Sequence, residues 1–113
     1  MSITNQQVAG REFLRGLYPD QYFPDRLLDK GRDILLRLCE RIEAERPADL
    51  AGLYALTAVA TLEFNRLQEE FWAAGSEIET MARDEIAGDF AFVASAYGFA
   101  DADLEEVVAE RDW

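Results

Sequence analysis

Residues 50–75 read LAGLYALTAVATLEFNRLQEEFWAAG. Leu53, Thr57, Ala60, Phe64, Leu67 and Phe71 recur at intervals of three and four, the period of one helix face. Asp49 stands where an N-cap belongs, and Gly75 where a helix of about 50–74 stops. The first half, Leu50 to Leu62, is 13 residues without a charge. A helix apolar all round belongs in the centre of a bundle, so this stretch predicts the central element of an all-helical fold. It is shorter than the roughly 18–20 apolar residues that cross a bilayer.

Reading outward, the same period recurs on both sides. Leu27, Gly31, Ile34, Leu35, Leu38 and Ile42 predict a helix over about 25–46, opened near Pro24 and stopped by Pro47. Before it, Thr4 and Gln7 form a candidate capping box for a short helix carrying Val8, Phe13, Leu14 and Leu17. The segment Tyr18 to Pro24 breaks that helix, and its aromatics Tyr18, Tyr22 and Phe23 are expected to pack over the end of the bundle. Downstream, Ser76 and Glu79 form a second candidate capping box for a helix through Tyr97, closed by Gly98. A last short helix over about 102–110 starts at Asp101 or Asp103 and turns Leu104, Val107 and Val108 inward. No alternation of period two interrupts the pattern. The expectation is one all-α domain over residues 1–113, a compact antiparallel bundle of four to five helices with short loops.

Charge divides the chain. Residues 1–46 carry eight basic and eight acidic groups, whereas residues 47–113 carry three arginines and fifteen carboxylates, the whole net charge of −12. That field repels nucleic acid and anionic lipid and attracts a basic protein. It also keeps a protein soluble, whatever else it does. One cysteine, Cys39, allows no internal disulfide, and the opening residues lack the basic and apolar regions of a signal peptide; both point to the cytoplasm.

With no histidine in the chain, a Ser-His-Asp or Cys-His nucleophile, an H-E-x-x-H zinc site and an E-x-x-H di-iron bundle are all excluded. Cys39, on the flank of its helix with nothing to activate it, reads as a buried structural thiol. The carboxylates offer more. A helical wheel puts Glu85 and Asp89 on the side of the fourth helix that also holds Ile78, Met81, Ala82, Ile86, Val93 and Ala96. A buried carboxylate must be paired, protonated or bound to a cation. The remedy is an internal network with Lys30, Arg37 and Arg41, or a divalent site in which Glu63 or Glu70 joins Glu85 and Asp89, or a groove in which the acids meet a partner. Carboxylate bundles that hydrolyse nucleotides present E-E-x-x-E followed by E-x-x-D. Here Ala73 stands after Glu69-Glu70, and Glu85 and Asp89 are spaced E-x-x-x-D.

The chain also resembles a small family of uncharacterised bacterial proteins, a domain of unknown function. Tyr22-Phe23-Pro24, Leu28-Asp29-Lys30-Gly31 and Leu38-Cys39-Glu40 carry the first part of the likeness. Ser76-Glu77-Ile78-Glu79-Thr80, Tyr97-Gly98-Phe99 and Arg111-Asp112-Trp113 carry the second, over residues 18–113. The resemblance implies a free-standing domain and supplies no catalytic residue.

These readings favour a non-enzymatic interaction module whose acidic half faces a basic protein. Small acidic helical immunity proteins, which neutralise basic nuclease toxins, are the nearest mechanistic analogue. Glu69, Trp72, Glu77, Glu79 and Asp84 are the expected contact residues. Trp72 lies off the apolar face of its helix, whereas Trp113 is expected against the core. No catalytic residue, cofactor, nucleic acid or membrane enters this reading, and the oligomeric state stays open. The alternative is a Mg²⁺- or Mn²⁺-dependent hydrolase of a nucleotide-like substrate, built on Glu85, Asp89, Glu63 and Glu70.

Overall fold

The computed structural model describes residues 3–113, and the described residues form an all-α bundle without a strand. The elements are α1 (Gln6–Ala9), a 3₁₀ turn (Arg15–Leu17), α2 (Asp25–Glu45), α3 (Leu50–Ala73), α4 (Thr80–Ala96) and α5 (Leu104–Val107). Helices α2 and α3 run antiparallel, joined by Lys30–Glu70 and Arg37–Glu63 contacts of 2.6 Å each. Phe64 packs edge-on against Phe90 and against Trp113, which is buried against the core as expected. No helix is long and apolar enough to cross a membrane, among the described residues.

The helix ends explain where the pattern stops. Asp49 accepts from the backbone of Gly52 at 2.9 Å and opens α3. Gly75 (φ +80°) and Gly98 (φ +91°) adopt the left-handed backbone that glycine tolerates, ending α3 and α4. Behind them Ser76 N donates to Phe71 O and Phe99 N to Ala94 O, each at 2.8 Å, the closing bond of a Schellman motif.

Four expectations are corrected. The first concerns the start of the chain. Asn5, rather than Thr4, caps α1, accepting from Val8 N at 3.1 Å, while Thr4 turns its amide and hydroxyl to Glu43. Helix α1 ends after one turn, so Phe13, Leu14 and Leu17 lie on a strap that reaches the core through Leu14 (φ +59°) and the 3₁₀ turn. Gly31 makes room for this strap: a Cβ there would stand 2.7 Å from Leu14 Cδ1 and 3.2 Å from Phe64 Cε1.

The second box, Ser76 with Glu79, does not form. Ser76 is engaged in closing α3, its hydroxyl is buried without a partner, and α4 begins at Thr80 with Glu79 as an extended N-cap that makes no side-chain bond. Third, α4 is rotated toward Phe90. Ala82, Ile86, Ala87, Asp89, Phe90, Val93 and Ala94 are buried, leaving Met81 exposed and Glu85 at the edge. Fourth, α3 is not enclosed. One face packs on α2 and another under the C-terminal segment, where Asn65 and Gln68 bond Glu110, Asp112 and their backbone. Ala51, Ala55, Val59 and Leu62 remain on the outside.

Candidate functional site

The carboxylates fall into two groups, one bonded within the protein and one exposed without partners among the described residues. The inward group holds the N-terminal strap. Asp89, only 1% exposed, accepts at Oδ1 from Arg11 Nη2 (2.7 Å) and Nε (3.2 Å), and at Oδ2 from Leu14 N (2.8 Å). Arg11 lies 4.3 Å over the ring of Phe92. Glu85 accepts from Gly16 N at 3.1 Å. Burial pushes the Asp89 carboxyl up; Arg11 and the Leu14 amide oppose the rise without cancelling it. The amide bond to Asp89 also accounts for a leucine holding positive φ, a conformation that needs support from its surroundings.

Glu43 of α2 is a second anchor of the strap. It accepts from Thr4 N (3.0 Å), Thr4 Oγ1 (2.9 Å), Asn5 N (3.1 Å) and the Tyr97 hydroxyl (2.5 Å). Burial works against its charge, but the Tyr97, Thr4 and Asn5 donors prevail and hold the carboxyl down at about 2. The same contact and burial push the Tyr97 phenol well above its ordinary range. Cys39 is buried, its thiol pushed up to about 12 by desolvation, as a structural cysteine should be.

The expected counter-stripe of α2 is therefore used differently. Lys30 binds Glu70, Arg37 binds Glu63 and Arg41 lies 3.6 Å from Glu45, while the cation on Asp89 is Arg11. Glu63 and Glu70 sit on the α2–α3 groove, and Glu85 and Asp89 sit under the strap, so these four acids do not converge. Among the described residues no three carboxylate or thiol side chains are grouped to hold a metal. Of the three remedies that the sequence left open for Asp89, an internal ion pair is present, and its cation comes from the strap in place of α2. Nothing local marked Arg11, which fell within the short helix expected through Leu17 and in fact lies beyond the end of α1 at Ala9.

The second group is exposed. Glu69, Trp72, Glu77, Glu79 and Asp84 are all exposed, on the last turns of α3, the α3–α4 loop and the second turn of α4. Trp72 is 54% exposed, and Met81 in the first turn of α4 is also exposed. The loop before α2 reaches the same end: Phe23 packs on Phe71 and is flanked by Tyr22, whose ring stays in solvent. Of the expected aromatic cover, then, Phe23 is buried, Tyr18 is half-buried and Tyr22 points away. No lysine or arginine pairs with Glu69, Glu77, Glu79 or Asp84 among the described residues. Trp72, Met81 and Tyr22 are the exposed apolar side chains of these segments, and Glu69, Glu77, Glu79 and Asp84 are exposed carboxylates on them.

A helical bundle strapped by its own N-terminal segment is the class that this architecture defines. The chain belongs to the family of unknown function DUF5713, whose model matches residues 7–113 and so takes in Arg11 and Leu14. Neither a curated protein nor a solved structure matches it.

Proposed function

We propose that this protein is a non-enzymatic interaction module that works in the cytoplasm and docks a basic protein on the end surface around Trp72. The observation that carries the reading is Trp72, 54% exposed, on a stretch of chain with four exposed carboxylates that have no cation of their own among the described residues. Buried contacts gain most from rigid aromatic anchors, and a rim of one charge adds speed and selectivity of association. Tyr22 and Met81 supply further apolar area, so a fitting partner offers an aliphatic or aromatic pocket bordered by lysine or arginine. The immunity proteins remain an analogy of charge and size. The hydrolase alternative has less support, since Arg11, Arg37 and Lys30 already neutralise Asp89, Glu63 and Glu70.

Affinity isolation from native lysate, run at low and at high salt, tests the reading. Its expected result is a basic partner retained at low salt and released as salt rises, with Trp72→Ala losing it at either. Retention of the same partner by Trp72→Ala, at unchanged affinity, contradicts the proposed surface.

A further inference from the structure

Helices α2 and α3 border a cleft that neither the strap nor the exposed acids around Trp72 use. Along α2 run Lys30, Asp33 and Arg37; along α3, in the opposite direction, run Glu70, Arg66 and Glu63. Each charge on one helix thus stands across from the opposite sign on the other. The two outer rungs are closed, Lys30 on Glu70 and Arg37 on Glu63, each at 2.6 Å. Seven residues separate them on either helix, about 10 Å of rise. The middle rung is open. Asp33 and Arg66 are exposed, and neither makes an ion pair among the described residues. Both line a cleft of about 300 Å³ whose floor is the buried Ile34 and Leu67. We propose that this cleft binds a small zwitterion of the amino-acid type, with its ammonium on Asp33 and its carboxylate on Arg66, so that the ligand completes the middle rung.

The charge pattern selects a molecule of both signs. Three cations and three carboxylates line the cleft and sum to zero, in a chain whose net charge is −12. A simple anion on Arg66 would face Asp33, Glu63 and Glu70, within a protein that repels anions as a whole. A metal ion or a simple amine on Asp33 would face Lys30, Arg37 and Arg66, and the glutamates that could help to hold it are already engaged. A molecule with one charge of each sign meets an opposite partner at both ends and leaves the outer rungs intact. Its carboxylate also suits the planar fork of a guanidinium, which takes two parallel hydrogen bonds. Size points the same way, since about 300 Å³ is the lower end of the range for small-molecule pockets. Ile34 and Leu67 offer contact to a short aliphatic side chain. Ion pairs this close to solvent are individually weak, so the Kd should be on the order of 1 mM.

Two-dimensional NMR of the isotope-labelled full chain at neutral pH and low salt tests the site, with L-alanine, L-valine and L-leucine titrated separately to about 20 mM. At least one of them should move the amide resonances of Ile34 and Leu67 along a saturating curve. The matching amine and the matching carboxylic acid, each lacking one of the two charges, should bind at least about tenfold more weakly. Asp33→Asn and Arg66→Gln should each weaken binding at least about tenfold, with an unchanged helical circular dichroism spectrum. The proposal is overturned if none of the three amino acids gives a saturating shift, or if a singly charged analogue binds as tightly as its parent. Wild-type affinity in either variant overturns it as well. Trp72→Ala should bind the amino acid as wild type does, so the cleft and the basic-partner surface stand or fall separately.

Discussion

Glu43, Glu85 and Asp89 turn toward the N-terminal strap, whereas Glu69, Glu77, Glu79 and Asp84 turn away from the protein altogether. The inward three accept hydrogen bonds from Thr4, Asn5, Leu14, Gly16, Tyr97 and Arg11. The outward four accept none from any side chain among the described residues. Residue type is the same in both regions, so the difference lies in what each carboxylate replaces when it leaves water. An inward acid exchanges solvent for fixed donors and orders a segment that makes little regular structure of its own. An outward acid keeps its solvent, and its charge stays available to a molecule that arrives from outside.

Loss of Arg11 should produce the largest effect. Asp89 is 1% exposed but Arg11 is 38% exposed, so the two sides of the pair are not equivalent. Arg11→Met leaves a buried carboxylate with only the Leu14 amide and should cost about 3–5 kcal/mol in urea denaturation. Asp89→Leu leaves a cation that can turn to water and one unpaired amide, and should cost only about 1–3 kcal/mol. Equal losses for the two variants would show that the pair is not asymmetric. Because burial raises the Asp89 carboxyl, the cost of Arg11→Met should also shrink as acid neutralises Asp89.

Gly31→Ala tests the seat of the strap. A methyl group 2.7 Å from Leu14 Cδ1 must displace that side chain, at about 1–3 kcal/mol of overpacking. A neutral result would mean that Leu14 shifts freely and that the strap is loosely held.

Glu43 should make stability depend on pH in the opposite sense to Asp89. Its carboxyl is lowered from 4.5 to about 2, so the unfolded chain binds more protons between those values. Its contribution is therefore complete above about pH 4.5 and fades as pH falls toward 2. Glu43→Gln should destabilise at pH 6 and approach wild type as the pH nears 2, in parallel urea titrations. A gap between the two that stays constant over this range would contradict the assignment. Smallest of all should be the four outward neutralisations, each within about 0.5 kcal/mol of wild type.

The long helices were legible because their information is local. Three-four spacing, Asp49 and the glycines at 75 and 98 state where α3 and α4 run and end without reference to any other part of the chain. The two capping boxes misled for a shared reason: Thr4 and Ser76 have partners from outside the box, Glu43 for the first and the end of α3 for the second. Periodicity put Asp89 on the buried side of α4, but the rotation of that helix depends on Phe90 meeting Phe64, a contact between distant residues. Arg11 was illegible for the same cause, since 78 residues separate it from Asp89. Among the exposed apolar residues, Trp72 was readable from its place off the helix stripe. Met81 was not, because it shares the wheel sector of residues that are buried.

The rate of association with the captured basic partner tests the central claim most directly. Ionic strength raised from about 0.05 to 0.5 M shortens the Debye length from roughly 14 to 4 Å, and stopped-flow mixing should show the wild-type on-rate falling steeply. The Glu69→Gln/Glu77→Gln/Glu79→Gln/Asp84→Asn variant should associate slowly even at low salt, near the high-salt rate of wild type, with its fold intact. An on-rate equal to wild type at low salt, or a lysate that yields no partner there, would contradict the account and leave the outward charge as a device of solubility alone.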